Sequence, residues 1–146
     1  GIIGAGRIGK VHAETMAFRL PAAVPLAITD LNLAAAEAVA ARCGIPRVAR
    51  TSEEILADPA IEAVLICSST STHADLVIEA AQAGKHIFCE KPLDHSLAKI
   101  DRALAARSPG AVPFSSIAAR LRAARRPNEI VGAARELHAL ERMLTR

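Results

Sequence analysis

Short apolar runs alternate with helix-patterned stretches five times between Gly1 and Ala106. Gly1-Ile2-Ile3 reads as the stub of a buried strand, and Arg7–Arg19 follows as a helix. Val24–Thr29 is a second apolar strand, ending at Asp30. Leu33–Arg42 is an Ala-rich helix that Gly44 stops and Pro46 keeps from continuing. A short strand is expected at Arg47–Ala49. Thr51-Ser52-Glu53-Glu54 then has the S/T-x-x-E spacing of a capping box and opens a helix to Ala57. Ile61–Cys67 is the clearest strand, apolar through its second half as a parallel strand buried on both faces should be. A helix over Ser71–Ala83 ended by Gly84, a strand at His86–Cys89 and a helix over Ser96–Ala106 complete the series. This alternation predicts an α/β fold: a doubly wound parallel sheet with right-handed crossovers in three layers, α/β/α.

The pattern fails after Arg107. Ser108-Pro109-Gly110 is a break, and Ala111-Val112-Pro113-Phe114 has the character of a sixth strand's beginning. Ala and Arg together fill 16 of the 40 residues in 107–146, where 117–126 and 131–144 have helical composition but no recognisable site. The expected division is therefore a domain over 1–106 and an Ala/Arg-rich tail over 107–146. The charge divides the same way. Residues 1–106 carry 10 Lys+Arg against 12 Asp+Glu, while 107–146 carry 8 Arg against 3 Glu. A basic tail raises nucleic acid as a partner, but one aromatic residue, Phe114, and no binding motif argue against it.

At 146 residues with 51% hydrophobic content and no Trp or Tyr, the core must be built of Ala, Val, Leu and Ile. No apolar run reaches the roughly 18 residues of a membrane span. No signal peptide is visible, though a chain beginning at Gly1 rather than Met is expected to lack its natural start. Cys43, Cys67 and Cys89 are odd in number and form no CxxC pair, which predicts reduced thiols in the cytoplasm and no metal site.

Gly4-x-Gly6-x-x-Gly9 follows a strand and opens a helix, the context a dinucleotide fingerprint needs. Gly4 permits the tight turn, Gly6 lets backbone approach a pyrophosphate, and Gly9 lets helix and sheet pack closely. The helix start, with Arg7 and Ile8, offers free N–H groups and a positive dipole end. Asp30 stands 21 residues after Gly9 at a strand end, near the spacing of about 20 for an acid that binds ribose hydroxyls. Such an acid favours NAD and repels the 2′-phosphate of NADP, although Arg7 nearby keeps NADP open. Asp30 as a helix N-cap is the plainer alternative. The hydroxyl run Ser68-Ser69-Thr70-Ser71-Thr72 before His73 suits helix capping. It also faces the same sheet edge, so Ser68, Thr70 and His73 are candidates for cofactor contact. His12, His86 and His95 have no partner evident from spacing. Glu90-Lys91-Pro92 ends the last strand, where open sheets bind ligands, and a lysine there can hold a proton beside a nicotinamide.

Gly4–Gly9, Asp30, Cys67–His73 and Glu90–Pro92 together resemble the glucose–fructose oxidoreductase/inositol dehydrogenase family (Gfo/Idh/MocA), especially its inositol 2-dehydrogenase members. The likeness covers about residues 1–106 and implies a Rossmann domain binding NAD. It also implies oxidation of a polyol or sugar hydroxyl to a ketone. It assigns Lys91 to the catalytic group, and Glu90 and Pro92 to the turn beneath the nicotinamide. Family members add a second α/β domain that carries the substrate site and drives oligomerisation, often to tetramers. That domain and its Asp-x-x-x-His pair have no counterpart here. Ser68-Ser69-Thr70 replaces a common Thr-Pro-Thr. A fragment, a truncation or a frameshift near residue 107 accounts for the missing half, and the Ala/Arg-rich tail suits a GC-rich gene read out of frame. The expected function is an NAD-dependent polyol dehydrogenase present as its cofactor-binding part. The alternative is a dinucleotide-binding or sensing module without chemistry.

Overall fold

A computed structural model of the protein describes residues 1–20 and 22–106. The expected strand at 111–114 and the two tail helices lie outside the described residues. Five strands and five helices alternate: β1 (Ile2–Ile3), α1 (Arg7–Arg19), β2 (Ala27–Thr29), α2 (Leu33–Cys43), β3 (Arg47–Val48), α3 (Ser52–Leu56), β4 (Ala63–Ile66), α4 (Thr70–Gln82), β5 (His86–Cys89) and α5 (Leu97–Ala105). The strands form one parallel sheet in the order β3-β2-β1-β4-β5. The path winds outward from β1 to β3, returns to the far side of β1 for β4, and reaches β5 as the last strand among the described residues. The order reverses between β1 and β4, and a ligand crevice forms at such a reversal.

Side chains alternate across the sheet and sort into two cores. Ile2 and Ile28 pair in register and meet Ala13 of α1 with Ala36, Val39 and Ala40 of α2. Ile3, Ala27, Val64 and Ile66 face the other way, onto Ile55 and Leu56 of α3 and Ala80 of α4. Helix α5 packs on α4. The three-layer, doubly wound α/β/α expectation is thereby met. In place of bulky aromatics, alanines line the helix contacts. Ala13, Ala36, Ala74 and Ala80 are fully buried and leave the helices free to approach closely.

Local signals set most boundaries. Gly44, at φ 69°, closes α2 in the left-handed conformation that favours glycine, and Ile45 N–H returns to the Ala40 carbonyl at 3.0 Å. Thr51 caps α3 by accepting from Glu54 N–H at 3.4 Å. The return arm of the box differs from expectation, since Glu54 Oε2 accepts from the Arg50 N–H, at 3.2 Å, rather than from Thr51. Strand β2 begins at Ala27 instead of Val24: Pro25 has no N–H for a ladder, and Val24 is exposed. Strand β4 is also shorter than the apolar run, because the Ile61 N–H turns back to the Asp58 carbonyl at 3.2 Å.

That last turn is pinned by a buried cation. Lys85, just before β5, donates from Nζ to the carbonyls of Asp58 (2.7 Å) and Ile61 (2.8 Å). Among the described residues no helix is long and apolar enough to cross a membrane. Replacing Lys85 by Met leaves both carbonyls without this donor. Denaturant unfolding should then show a loss of about 1–3 kcal/mol, the usual cost of orphaned buried acceptors.

Candidate functional site

Because the sheet is parallel, the segments leaving β1, β2, β4 and β5 all emerge at one edge. They are Gly4–Gly9, Asp30, Ser68–Thr70 and Glu90–Pro92, so the fold gathers the predicted site along a single rim.

The glycine turn sits on the reversal point. Gly4 adopts φ 110°, and a Cβ there would lie 2.5 Å from the Cys67 carbonyl carbon and 2.6 Å from Ser68 N. A Cβ on Gly9 would lie 2.0 Å from the Gly4 oxygen. Both glycines are therefore demanded from within, by backbone packed on backbone. Gly6 is different: a Cβ there meets nothing within 4 Å. It opens outward at the start of α1, where no side chain caps the helix and no acid occupies the first turn. Arg7 and Ile8 lie exposed beside it. This cradle fits a dinucleotide, with an uncapped positive helix end, backbone N–H groups facing out, and a missing Cβ where the pyrophosphate approaches.

Asp30 fixes this turn to β2. Its Oδ2 accepts from Ala5 N–H at 2.6 Å and its Oδ1 from Asn32 N–H at 2.8 Å. It is not the N-cap of α2, a place held by Asn32, whose Oδ1 accepts from Ala35 N–H at 3.3 Å. Each carboxylate oxygen has about two acceptor positions, so one on each remains for ribose hydroxyls.

The hydroxyl run does not cap α4. The Thr72 hydroxyl donates to the Ser69 carbonyl at 2.8 Å, so its 2.8 Å contact with Ser68 Oγ must be one it accepts. The Ser68 oxygen keeps its lone pairs, and Thr70 stands half-buried at the first position of α4. His73 requires a correction. The residue is 2% exposed, with Nδ1 at 2.9 Å from the Pro92 carbonyl and Nε2 at 3.0 Å from the Ser68 carbonyl. Both nitrogens lie against carbonyl oxygens inside the protein, a neutral ring donating to one of the two, which leaves neither open to a cofactor. His73 sits between two rim segments instead, within hydrogen-bond distance of each.

At β5, Glu90 uses both carboxylate oxygens. Oε1 pairs with His12 Nε2 of α1 at 2.7 Å, and Oε2 accepts from the Lys91 N–H at 3.1 Å. The His12 bond, the Lys91 N–H and the nearby positive charges hold the Glu90 carboxyl below its ordinary value. Phe88, on the same face, meets the His12 ring edge-on at 5.3 Å. Lys91 is exposed and its ammonium has no hydrogen-bond or ion-pair partner among the described residues; the Lys91–Pro92 peptide is cis. The thiols along this edge are quiet: burial pushes Cys67 up to about 12 and Cys89 up to about 11, and the Glu90 charge adds to both. Among the described residues no group of three or more His, Cys, Asp or Glu can hold a metal.

Sequence reasoning missed His12. Its partner is 78 residues away, and only the sheet order brings α1 beside the end of β5. The one available signal was placement, since His12 lies a helical turn beyond Gly9, next to the sheet-facing Ala13.

Fold and cradle together define a dinucleotide-binding Rossmann domain. The chain belongs to the Gfo/Idh/MocA oxidoreductase family with an NAD-binding Rossmann fold, whose profile it matches over residues 1–114. It is 43% identical over 102 residues to the myo-inositol 2-dehydrogenase of Thermotoga maritima, covering 70% of this chain and 30% of that one. It is 43% identical over 96 residues to the scyllo-inositol 2-dehydrogenase (NAD(+)) of Bacillus subtilis, covering 66% and 28%. The structure of Lactobacillus casei myo-inositol dehydrogenase in complex with NAD(H) and myo-inositol superposes with a TM-score of 0.70 and 33% identity, over 73% of this chain and 32% of that one. The chain thus spans about 30% of the length of these relatives.

The glycines make separable demands. Gly9→Ala should cost about 1–3 kcal/mol of stability or more, as overpacking does. Gly6→Ala should fold normally yet bind NAD at least about tenfold more weakly. Thermal unfolding and NAD titration of the two variants check this, and equal stability losses would contradict the distinction.

Proposed function

We propose that this chain is the NAD-binding part of a dehydrogenase that oxidises a hydroxyl of inositol, or a related polyol or sugar, to a ketone. The observation that carries the reading is Lys91. An exposed ammonium without a partner among the described residues stands on the rim that holds the glycine cradle. A domain that only senses a dinucleotide has no use for it. The names of the three relatives given above, each an inositol dehydrogenase, support the substrate class.

In this reading the pyrophosphate lies over Gly4, Gly6, Arg7, Ile8 and Gly9. Asp30 accepts from the adenosine ribose hydroxyls and disfavours a 2′-phosphate. Ser68 and Thr70 face the nicotinamide half, and Glu90 shapes the turn under it. Bound NAD supplies the hydride acceptor. Lys91 Nζ would donate to the substrate hydroxyl oxygen and stabilise the charge developing there, while the hydroxyl proton passes to the Asp-x-x-x-His pair of the second domain and the hydride to the bound NAD. The remaining requirement, a polyol held against the ring, belongs to the second domain of the complete enzyme. We further propose that the complete enzyme is cytoplasmic and, like its full-length relatives, a homo-oligomer, with neither nucleic acid nor membrane as partner.

A chimera tests the proposal. Residues 1–106 replace the matching part of the Thermotoga maritima relative, and NADH formation with myo-inositol is followed. The chimera should be active with NAD in preference to NADP, and Lys91→Ala should lower kcat by about 10²–10⁴-fold. An inactive chimera, or one indifferent to Lys91→Ala, counts against this reading. NAD binding without turnover would favour the sensing module.

A further inference from the structure

Two buried or half-buried histidines, on two different helices, each hold a neighbour of Lys91. His12 of α1 grips the residue before it, through the 2.7 Å contact of Nε2 with Glu90 Oε1. His73 of α4 grips the residue after it, through the 2.9 Å contact of Nδ1 with the Pro92 carbonyl. The histidine side chains are 61 residues apart in the chain and meet the same three-residue segment.

We propose that His12 and His73 are positioning residues that bracket Lys91 and hold its ammonium against the nicotinamide side of the cradle. This rests on the catalytic reading of Lys91 given above. The need for such a bracket follows from how the segment is otherwise held. The Glu90 N–H bonds to the Ile66 carbonyl at 2.9 Å, the last backbone tie of β5 to the sheet. Beyond it Pro92 has no N–H to give, and the Lys91 N–H is used locally, by the Glu90 carboxylate at 3.1 Å. That local bond orients the Lys91 backbone only if the carboxylate is itself fixed. His12 fixes it, and Phe88 backs the imidazole at 5.3 Å.

On the other side, His73 reaches the Pro92 carbonyl from a ring with almost no freedom. The residue is 2% exposed, and its second nitrogen lies 3.0 Å from the Ser68 carbonyl; two carbonyls cannot both accept from a neutral ring, so the Nδ1–H tautomer is the one that holds Pro92. One imidazole therefore references Lys91 to α4, while the other references it to the helix whose N-terminus forms the cradle. A lysine on a four-carbon stem is flexible, and a bracketed backbone restricts where its head can go. Misplacement of a reacting group by about 1 Å costs on the order of a hundredfold in rate.

Amide hydrogen exchange by NMR on this chain, together with kinetics of the chimera, tests the bracket. His12→Ala should speed exchange of the Lys91 N–H by about tenfold or more, the loss of a hydrogen bond to a charged group. His12→Gln places a donor where Nε2 stood and should restore it. At His73 two variants divide the contacts: Asn can replace Nδ1 and keep Pro92, whereas Gln can replace Nε2 and keep Ser68. Both sacrifice similar packing, so both should lower stability alike, yet only His73→Gln should loosen the segment at Lys91. In the chimera, His12→Ala and His73→Gln should lower kcat severalfold with KM for NAD little changed. Unchanged Lys91 exchange in His12→Ala, equal behaviour of the two His73 variants, or a change confined to KM would overturn the bracket. Should exchange respond as expected while Lys91→Ala leaves kcat intact, the bracket stands and the catalytic reading of Lys91 falls.

Discussion

Everything at the rim depends on the contact of three backbones where β1, α1 and the end of β4 meet. The virtual Cβ distances, 2.0 Å at Gly9 and 2.5 Å at Gly4, measure how little room is left between them. Closeness here does two things at once. It seats the Gly4 turn against Cys67 and Ser68, at the reversal of strand order, and it aims the first turn of α1 outward. The ties around it come from different strands. Gly4 N–H donates to the Thr29 carbonyl at 2.8 Å, Cys67 N–H to the Ile3 carbonyl at 2.7 Å, and Ala5 N–H to Asp30. A helix start held in this way, with no side-chain cap and no partner for its first N–H groups among the described residues, has the character of an anion site.

Asp30 shows why a residue's position at the rim need not mean a single role. Its carboxylate closes the turn through Ala5 and starts α2 through Asn32, using one acceptor position on each oxygen. Those bonds are charge-assisted and fix its orientation, so the remaining lone pairs are aimed before any cofactor arrives. The same two bonds that stabilise the turn also fix the direction in which the remaining acceptor positions point.

What the sequence made legible was whatever is written in neighbouring residues. The Gly-x-Gly-x-x-Gly turn, the Gly44 stop and the Thr51 cap lie where local chemistry puts them, because each needs only a few adjacent positions. The alternation of elements fixed the layers for the same reason. The misreadings share a different cause. Val24–Leu26 has strand composition, but strand length is decided by ladder partners, and Pro25 offers none. The hydroxyls after β4 have capping composition, yet Thr72 and Ser68 bond each other. His73 and His12 each act across the sheet edge, on Pro92 and Glu90, at separations of 19 and 78 residues. No period or spacing encodes contacts of that kind.

The electrostatics of the rim then narrow which side chain can do chemistry there. Cys67 and Cys89 flank the cradle at the ends of adjacent strands, and thiols are nucleophiles only as thiolates. Burial, reinforced by the Glu90 carboxylate, holds their ionisation far above neutrality, at about 12 and about 11. The same carboxylate is kept ionised by His12 and by the Lys91 N–H, so it has no proton to exchange near neutral pH. Asp30 is committed to two backbone donors. His73 has both nitrogens against backbone carbonyls, away from solvent. Lys91 differs from each of these: its backbone is held while its ammonium has no partner among the described residues. A fixed stem with a free head is the condition a group that donates to a substrate hydroxyl must meet. Here it arises because Glu90, His12 and His73 hold the segment on either side of Lys91 without touching its ammonium.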